Sequence, residues 1–198
     1  MKGKARKITI AGIVYMVFFA GAGSNVTLVD RDSDKKCGGV ERWDVKVLID
    51  EKADDVKKRP KITTIEELNA FRTDTIEIKG KTKRHGFEMQ VYKIKDCLIT
   101  HAILESDNDI HLVIEDGKGH HMIAEIPDPR CSDARHSDFI DDFRDARRTF
   151  MKVKTAYNKS RFDVTGVFFI DKEHSSEPTG NADNNVELHP VLNLTKHN

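Results

Sequence analysis

"GFEMQVYKIKDCLITHAILES" (residues 86–106) alternates apolar and polar side chains for longer than an ordinary strand, and it changes phase partway. Phe87, Met89 and Val91 hold one phase, and Ile94 opens the other. Side chains two apart share a face of a strand, so a phase slip within one extended run predicts a bulge or sharp bend. Downstream, "DIHLVIED" (109–116) reads as a second strand, closed by the turn signal "DGKG" (116–119). "HHMIAEIP" (120–127) is a third, stopped by Pro127 and Pro129. "SDFIDDFRDARRTFMKV" (137–153) then switches to helical spacing, with Phe139, Phe143, Ala146 and Phe150 on one stripe. Its acids come early and its bases late, as the helix dipole favours, and Ser137 is a fair N-cap. "RFDVTGVFFI" (161–170) and "NNVELHPVLNL" (184–194) supply two last strands.

A long bent strand, a hairpin, a helix and two closing strands follow the order of an OB-fold barrel. The expected class is therefore mainly β, a five-stranded OB-fold-like barrel with a helix between strands three and four. Ferredoxin-like sandwiches compete, but they generally want a second helix in the same run. Upstream of the barrel, "VERWDVKVLID" (40–50) reads as a strand through Val45, Val47 and Ile49. "DEKADDVKKRPK" (50–61) reads as a charged connector. "TTIEELNAF" (63–71) reads as a short helix with a Thr64–Glu67 capping box.

Length and termini set the frame for these elements. A chain of 198 residues, 38% apolar and 33% charged, suits one domain with a real core. "MKGKARK" (1–7) followed by "ITIAGIVYMVFFAGAG" (8–23) has the basic start, short apolar run and Ala20-Gly21-Ala22 exit of a secretory signal peptide. The expected organisation is a signal peptide over 1–22, an N-terminal extension over 23–84 (leader, strand, short helix) and the barrel over 85–198, packed with the extension as one unit. The protein would be secreted or periplasmic, with no stable membrane span after cleavage. Of 33 basic residues, Lys2, Lys4, Arg6 and Lys7 leave with the signal, so 29 face 33 acidic ones, a net charge near −4. That balance leaves nucleic acid a partner not favoured by charge. Trp43 and Tyr92 are single aromatics rather than a stacking platform. Export permits a disulfide. Cys37 and Cys131 lie in loop-like settings, whereas Cys97 lies inside a strand, so the expected pair is Cys37–Cys131.

Chemistry-bearing residues gather on or beside the strands. Asp109 and His111 share one strand face, and Glu187 and His189 repeat the acid-x-His pattern in the last strand. Asp171 and His174 follow the fourth strand, and His101 and Glu105 lie near the end of the first. One reading is a divalent-metal site, such as zinc, drawn from His111, His174, His189 and Asp109 and able to support hydrolysis. The other is a set of cross-strand charge and hydrogen-bond pairs on a half-exposed face. His120 and His121 are neighbours and point to opposite faces, and the basic stretch "RRTFMKVKTAYNKSR" (147–161) reads as a solvated helix end. The sequence carries no G-x-S-x-G, no Cys–His signature and no phosphate-cradling glycine loop. Function divides among a secreted binding module of unidentified ligand, a metal-dependent nuclease or phosphodiesterase, and a structural envelope component.

"CGGVERWDVKVLID" (37–50), "ESDNDIHLVIED" (105–116), "MIAEIPDPRC" (122–131), "VTGVFFID" (164–171) and "VELHPVL" (186–192) together resemble a widespread group of uncharacterised bacterial exported proteins with an OB-fold-like domain. The likeness runs from Cys37 to Leu194. In that group the segment before the last strand often reads Asp-x-x-His-Gly, then a Pro-Asn-Gly turn. Asp171 and His174 fit, while Ser175 and "NADNN" (181–185) depart from the pattern. The resemblance implies the barrel, export and the Cys37–Cys131 pairing, and it transfers no activity.

Overall fold

The computed structural model describes residues 37–38, 41–73, 75–172 and 182–198, all within one compact unit. The predicted signal peptide and His174 lie outside the described residues. The described strands are β1 (Lys57–Thr63), β2 (Gln90–Leu104), β3 (Ile110–Glu115), β4 (His121–Ile126), β5 (Arg161–Ile170) and β6 (Val186–Lys196). The helices are α1 (Trp43–Lys46), α2 (Ile65–Asn69) and α3 (Ile140–Val153).

The phase slip read in the long strand is real and it closes the barrel. Register shifts between Ile94 and Cys97, where Asp96 takes φ 58, and again between Ile99 and His101. The bend lets β2 pair antiparallel with β5 along Val91–Leu98 and then with β3 along Leu98–Leu104. β3 and β4 form the hairpin, β4 runs parallel to β6, and β6 returns antiparallel to β5. The circuit β2-β3-β4-β6-β5-β2 is a closed five-stranded barrel, with a parallel contact between its third and fifth strands. That is the OB-like arrangement expected from the element order. Closure forces β5 and β6 close together at Gly166, where an added Cβ would stand 2.9 Å from the Leu188 Cβ.

Strand alternation sorts the residues into an inner core and an outer wall. Ile110, Leu112 and Ile114 of β3 point inward with Met122, Ala124 and Ile126 of β4, and Ala146 and Phe150 of α3 join that cluster. Ser137 does not cap α3, whose N-cap position is Phe139. The Ser137 hydroxyl accepts from the Phe139 N–H and donates to the Leu48 carbonyl, so it ties the preceding turn to the N-terminal segment.

Two upstream expectations are corrected. "VERWDVKVLID" is not a strand: it holds the single-turn α1, bracketed by Arg42 at φ 52 and Leu48 at φ 55. The Val45/Val47 alternation misleads because Trp43 and Val47, four apart, pack together with Cys37, Cys131 and Ala134. The charged connector instead contains β1, parallel to the first half of β2. Only Thr63 of β1 is buried, so the strand has no apolar alternation to read. Lysines and a proline are tolerated there because β1 is an edge. α2 carries the expected capping box, with Thr64 accepting from the Glu67 N–H.

Two devices pin the N-terminal segment over the barrel. Cys37 and Cys131 form the disulfide, and Cys97 is the free, buried thiol. Arg42 donates bidentately to Glu88, at 2.9 and 2.6 Å, and also to the carbonyls of Ile170 and Thr82. Glu88 accepts in addition from the N–H groups of Ile170 and His85. With the side chains 1% and 0% exposed, this is a buried ion pair whose hydrogen-bonding capacity is largely used.

Candidate functional site

The turn between β3 and β4 sets the site. It places Glu115 opposite His121, and that register carries inward to place His111 opposite Glu125. β6 lies parallel to β4 with Ile123 beside Glu187, and the same alignment brings His189 next to Glu125. Three neighbouring strands thus aim His111, Glu125, His189 and Glu187 at the outer wall, opposite the face of Leu112, Ala124 and Leu188. Asp109, one residue before β3, joins them. The sequence question of whether Asp109 and His111 meet Glu187 and His189 is answered by this register: they share one wall.

That wall is roofed. Asp109 and His189 are 0% exposed, His111 2%, Glu187 3% and Glu125 5%. Lys46 of α1 reaches over the Phe169 ring at 5.4 Å and stands 3.8 Å from the Asp171 carboxylate. Phe169 in turn packs against the His189 ring at 5.5 Å between centroids.

Glu125 is the hub. Its Oε1 lies 3.1 Å from His111 Nδ1 in a formed hydrogen bond, and its Oε2 lies 2.8 Å from His189 Nδ1. The second contact is short but misaligned: Glu125 Oε2 and both ring nitrogens of His189 lack a hydrogen-bond partner. Asp109 accepts from the Asp128 N–H through Oδ1 at 3.1 Å, and its unpartnered Oδ2 stands 3.5 Å from His189 Nε2. Glu187 Oε2 is also buried without a partner. His111 Nδ1 is 3.4 Å from Glu105 as well, giving that imidazole two carboxylate neighbours.

Burial and charge oppose one another across this cluster. Burial alone would lower the His189 pKa, but Glu125 and Asp109 outweigh it and push the imidazole up to about 9. Burial would raise Glu125, yet His189, His111 and Lys46 hold its carboxyl well below the usual range. Glu187 has no such compensation: burial, then Asp171 and Glu125, push it well above the ordinary carboxylate value. His189 thus lies between two carboxylates that favour its charged form, while burial favours the neutral form of Glu187.

Of the residues singled out from sequence, Asp109, His111, Glu187, His189 and Asp171 all come to this region. Sequence reasoning missed Glu125 and Lys46. Glu125 was recoverable, because a hairpin closed at "DGKG" fixes which residue faces His111. Lys46 was not, because the Val45/Val47 alternation hides the single turn of helix that carries it. No protein-family model, curated protein or solved structure matches the chain.

Proposed function

We propose that the protein is an exported OB-like binding module, not a hydrolase. The observation that carries this reading is the sealing of the acid–imidazole wall. A hydrolytic centre needs a path for substrate and an open position for water, and among the described residues Asp109, His111, Glu125, Glu187 and His189 are 0–5% exposed. The wall then serves to hold the roof on the barrel, and ligand contact falls to the remaining surface. That surface includes the basic edge strand β1 with Lys57, Lys58, Arg59 and Lys61 exposed. Export is supported by the basic-apolar-small pattern of residues 1–22 and by the Cys37–Cys131 disulfide, a bond that persists in oxidising compartments. No helix among the described residues is long and apolar enough to cross a membrane.

The experiment is a paired screen on the oxidised mature chain. Turnover of a chromogenic phosphodiester is measured with added Zn²⁺ or Mn²⁺, beside His189→Ala. In parallel, thermal shift is read across acidic peptides, anionic glycans and nucleotides, since a ligand that binds only the native state raises Tm. The expected result is no turnover and a saturable rise with one ligand class that persists in His189→Ala. Turnover abolished by His189→Ala, or no saturable rise with any class, would overturn the proposal.

A further inference from the structure

The outer wall concentrates buried polar groups: Asp109, His111, Glu125, Glu187 and His189 are all 0–5% exposed. Hydrogen bonds ordinarily settle such a cluster, because buried polar groups without partners are costly. At this one they do not. Glu125 Oε2, Asp109 Oδ2 and both nitrogens of His189 are inaccessible to solvent and unpartnered, although they lie 2.8 and 3.5 Å apart in pairs. The 2.8 Å contact is made by His189 Nδ1 and the 3.5 Å contact by Nε2, so one of these nitrogens would join the two carboxylates about a shared ion. One donor atom from each of Asp109, Glu125 and His189 falls within 4.8 Å of the other two. Two ligands of a tetrahedral zinc, each about 2.0–2.1 Å from the ion, stand roughly 3.3 Å apart, so the three donor atoms would draw together to seat one.

We propose that Asp109, Glu125 and His189 form a buried structural site for a divalent transition-metal ion of the zinc type. The imidazole is the ligand that favours Zn²⁺ over Ca²⁺ or Mg²⁺, which take oxygen donors, and the two carboxylates are compatible with it. The remaining contacts orient the ligands. His111 Nδ1 holds Glu125 Oε1, and the Asp128 N–H holds Asp109 Oδ1, which leaves the free oxygen of each carboxylate turned toward His189. Asp128 is itself fixed by Arg130 at 2.7 Å, with Arg147 at 3.7 Å. The second nearby trio, Glu105, His111 and Glu125, is the weaker candidate because Glu125 Oε1 is already spent on His111 and Glu105 is partly exposed. The site stabilises the roof over the barrel, and it stands whether or not the binding-module reading does.

The test uses the oxidised mature chain. After exhaustive dialysis against chelator, Zn²⁺ is titrated with thermal shift and metal content as readouts. Co²⁺ is then substituted, and its visible d–d absorption reports the coordination geometry. The expected result is one ion per chain, a Tm rise that saturates at one equivalent and a low-symmetry Co²⁺ spectrum displaced by Zn²⁺. Asp109→Asn should weaken binding at least 10-fold, and His111→Gln less than that. If Asp109→Asn fails to fold, the wild-type stoichiometry and Co²⁺ spectrum decide alone. An unmoved Tm with no bound ion would overturn the site, as would zinc held equally by wild type and Asp109→Asn.

Discussion

Replacing Glu88 with alanine should destabilise the protein more than any single surface change. The carboxylate is 0% exposed and accepts four hydrogen bonds, two from Arg42 and one each from the N–H groups of Ile170 and His85. Its loss strands a guanidinium that is 1% exposed, and removing one partner of a buried pair costs about 3–5 kcal/mol. Arg42 would retain only its bonds to the carbonyls of Ile170 and Thr82, with a marginal one to Lys83 at 3.5 Å. For a chain of this size each kcal/mol moves Tm by roughly 2–4 °C, so a fall of about 10 °C is expected. Urea unfolding followed by tryptophan fluorescence is the assay, because Trp43 sits one residue from Arg42 in the roof. A double-mutant cycle with Arg42→Ala isolates the pair, and the double variant should be less destabilised than the two singles added, by about 2–3 kcal/mol. Additive singles, or a Glu88→Ala cost below about 1 kcal/mol, would refute the view that this pair clamps the roof.

The disulfide spans 94 residues of sequence, and loop-closure entropy sets a ceiling of about 4–5 kcal/mol for its loss in Cys37→Ser/Cys131→Ser, read by chemical unfolding. Burial pushes the Cys97 thiol up to about 12, so it should ignore a thiol reagent in the native state and give one reactive equivalent once the unreduced chain is unfolded. Burial alone would raise Asp163, but hydrogen bonds from Lys93 and His197 draw it down to about 2. A depressed carboxyl contributes stability that is fully present above its unfolded value near 3.9 and lost as pH falls through about 2. Asp163→Asn should therefore flatten the acid limb of the stability curve between about pH 4 and 2 while changing its shape little near neutrality. Gly166→Ala would drive a methyl against the Leu188 Cβ at 2.9 Å and the Pro190 carbonyl at 3.0 Å, with an expected cost of about 1–3 kcal/mol in thermal unfolding.

Residues that pack by alternation were legible and residues that pack by connectivity were not. Ile110, Leu112 and Ile114 announce β3 because residues two apart share the inner face of a strand, and the slip at Ile94 announces the bend because a continuous strand cannot change faces. β1 stayed hidden because its residues from Lys57 to Ile62 are exposed and its pairing is carried by backbone groups that any sequence possesses. α1 was misread because a four-residue helix offers too little periodicity to outweigh two valines two apart. At the site, acid-x-His pairs identified which strand faces carry charge, but not how deeply they lie. Lys46, which stands over Phe169 beside that wall, lies more than sixty residues upstream of His111, and no local pattern in β3, β4 or β6 reports it.

The roof also bears on where the domain begins. A division at residue 84 separates the barrel strands from α1, yet Asp109, His111, Glu125, Glu187 and His189 on the outer wall of those strands are buried despite being polar. Glu187 and Glu125 lie on neighbouring strands of that wall, and burial raises both carboxyls; His189, His111 and Lys46 outweigh it at Glu125, whereas at Glu187 Asp171 and Glu125 add to it. Without residues 42–47 the wall would lose Lys46 and Arg42, the two cations set over the Phe169 ring, while keeping all of its carboxylates. A barrel of 85–198 alone would thus meet water with four acids and two imidazoles on one face and lose the packing of Trp43 and Val47 against Cys131 and Ala134. The physical unit is therefore the barrel with its roof, and the acid-x-His pairs are the inner lining of that joint.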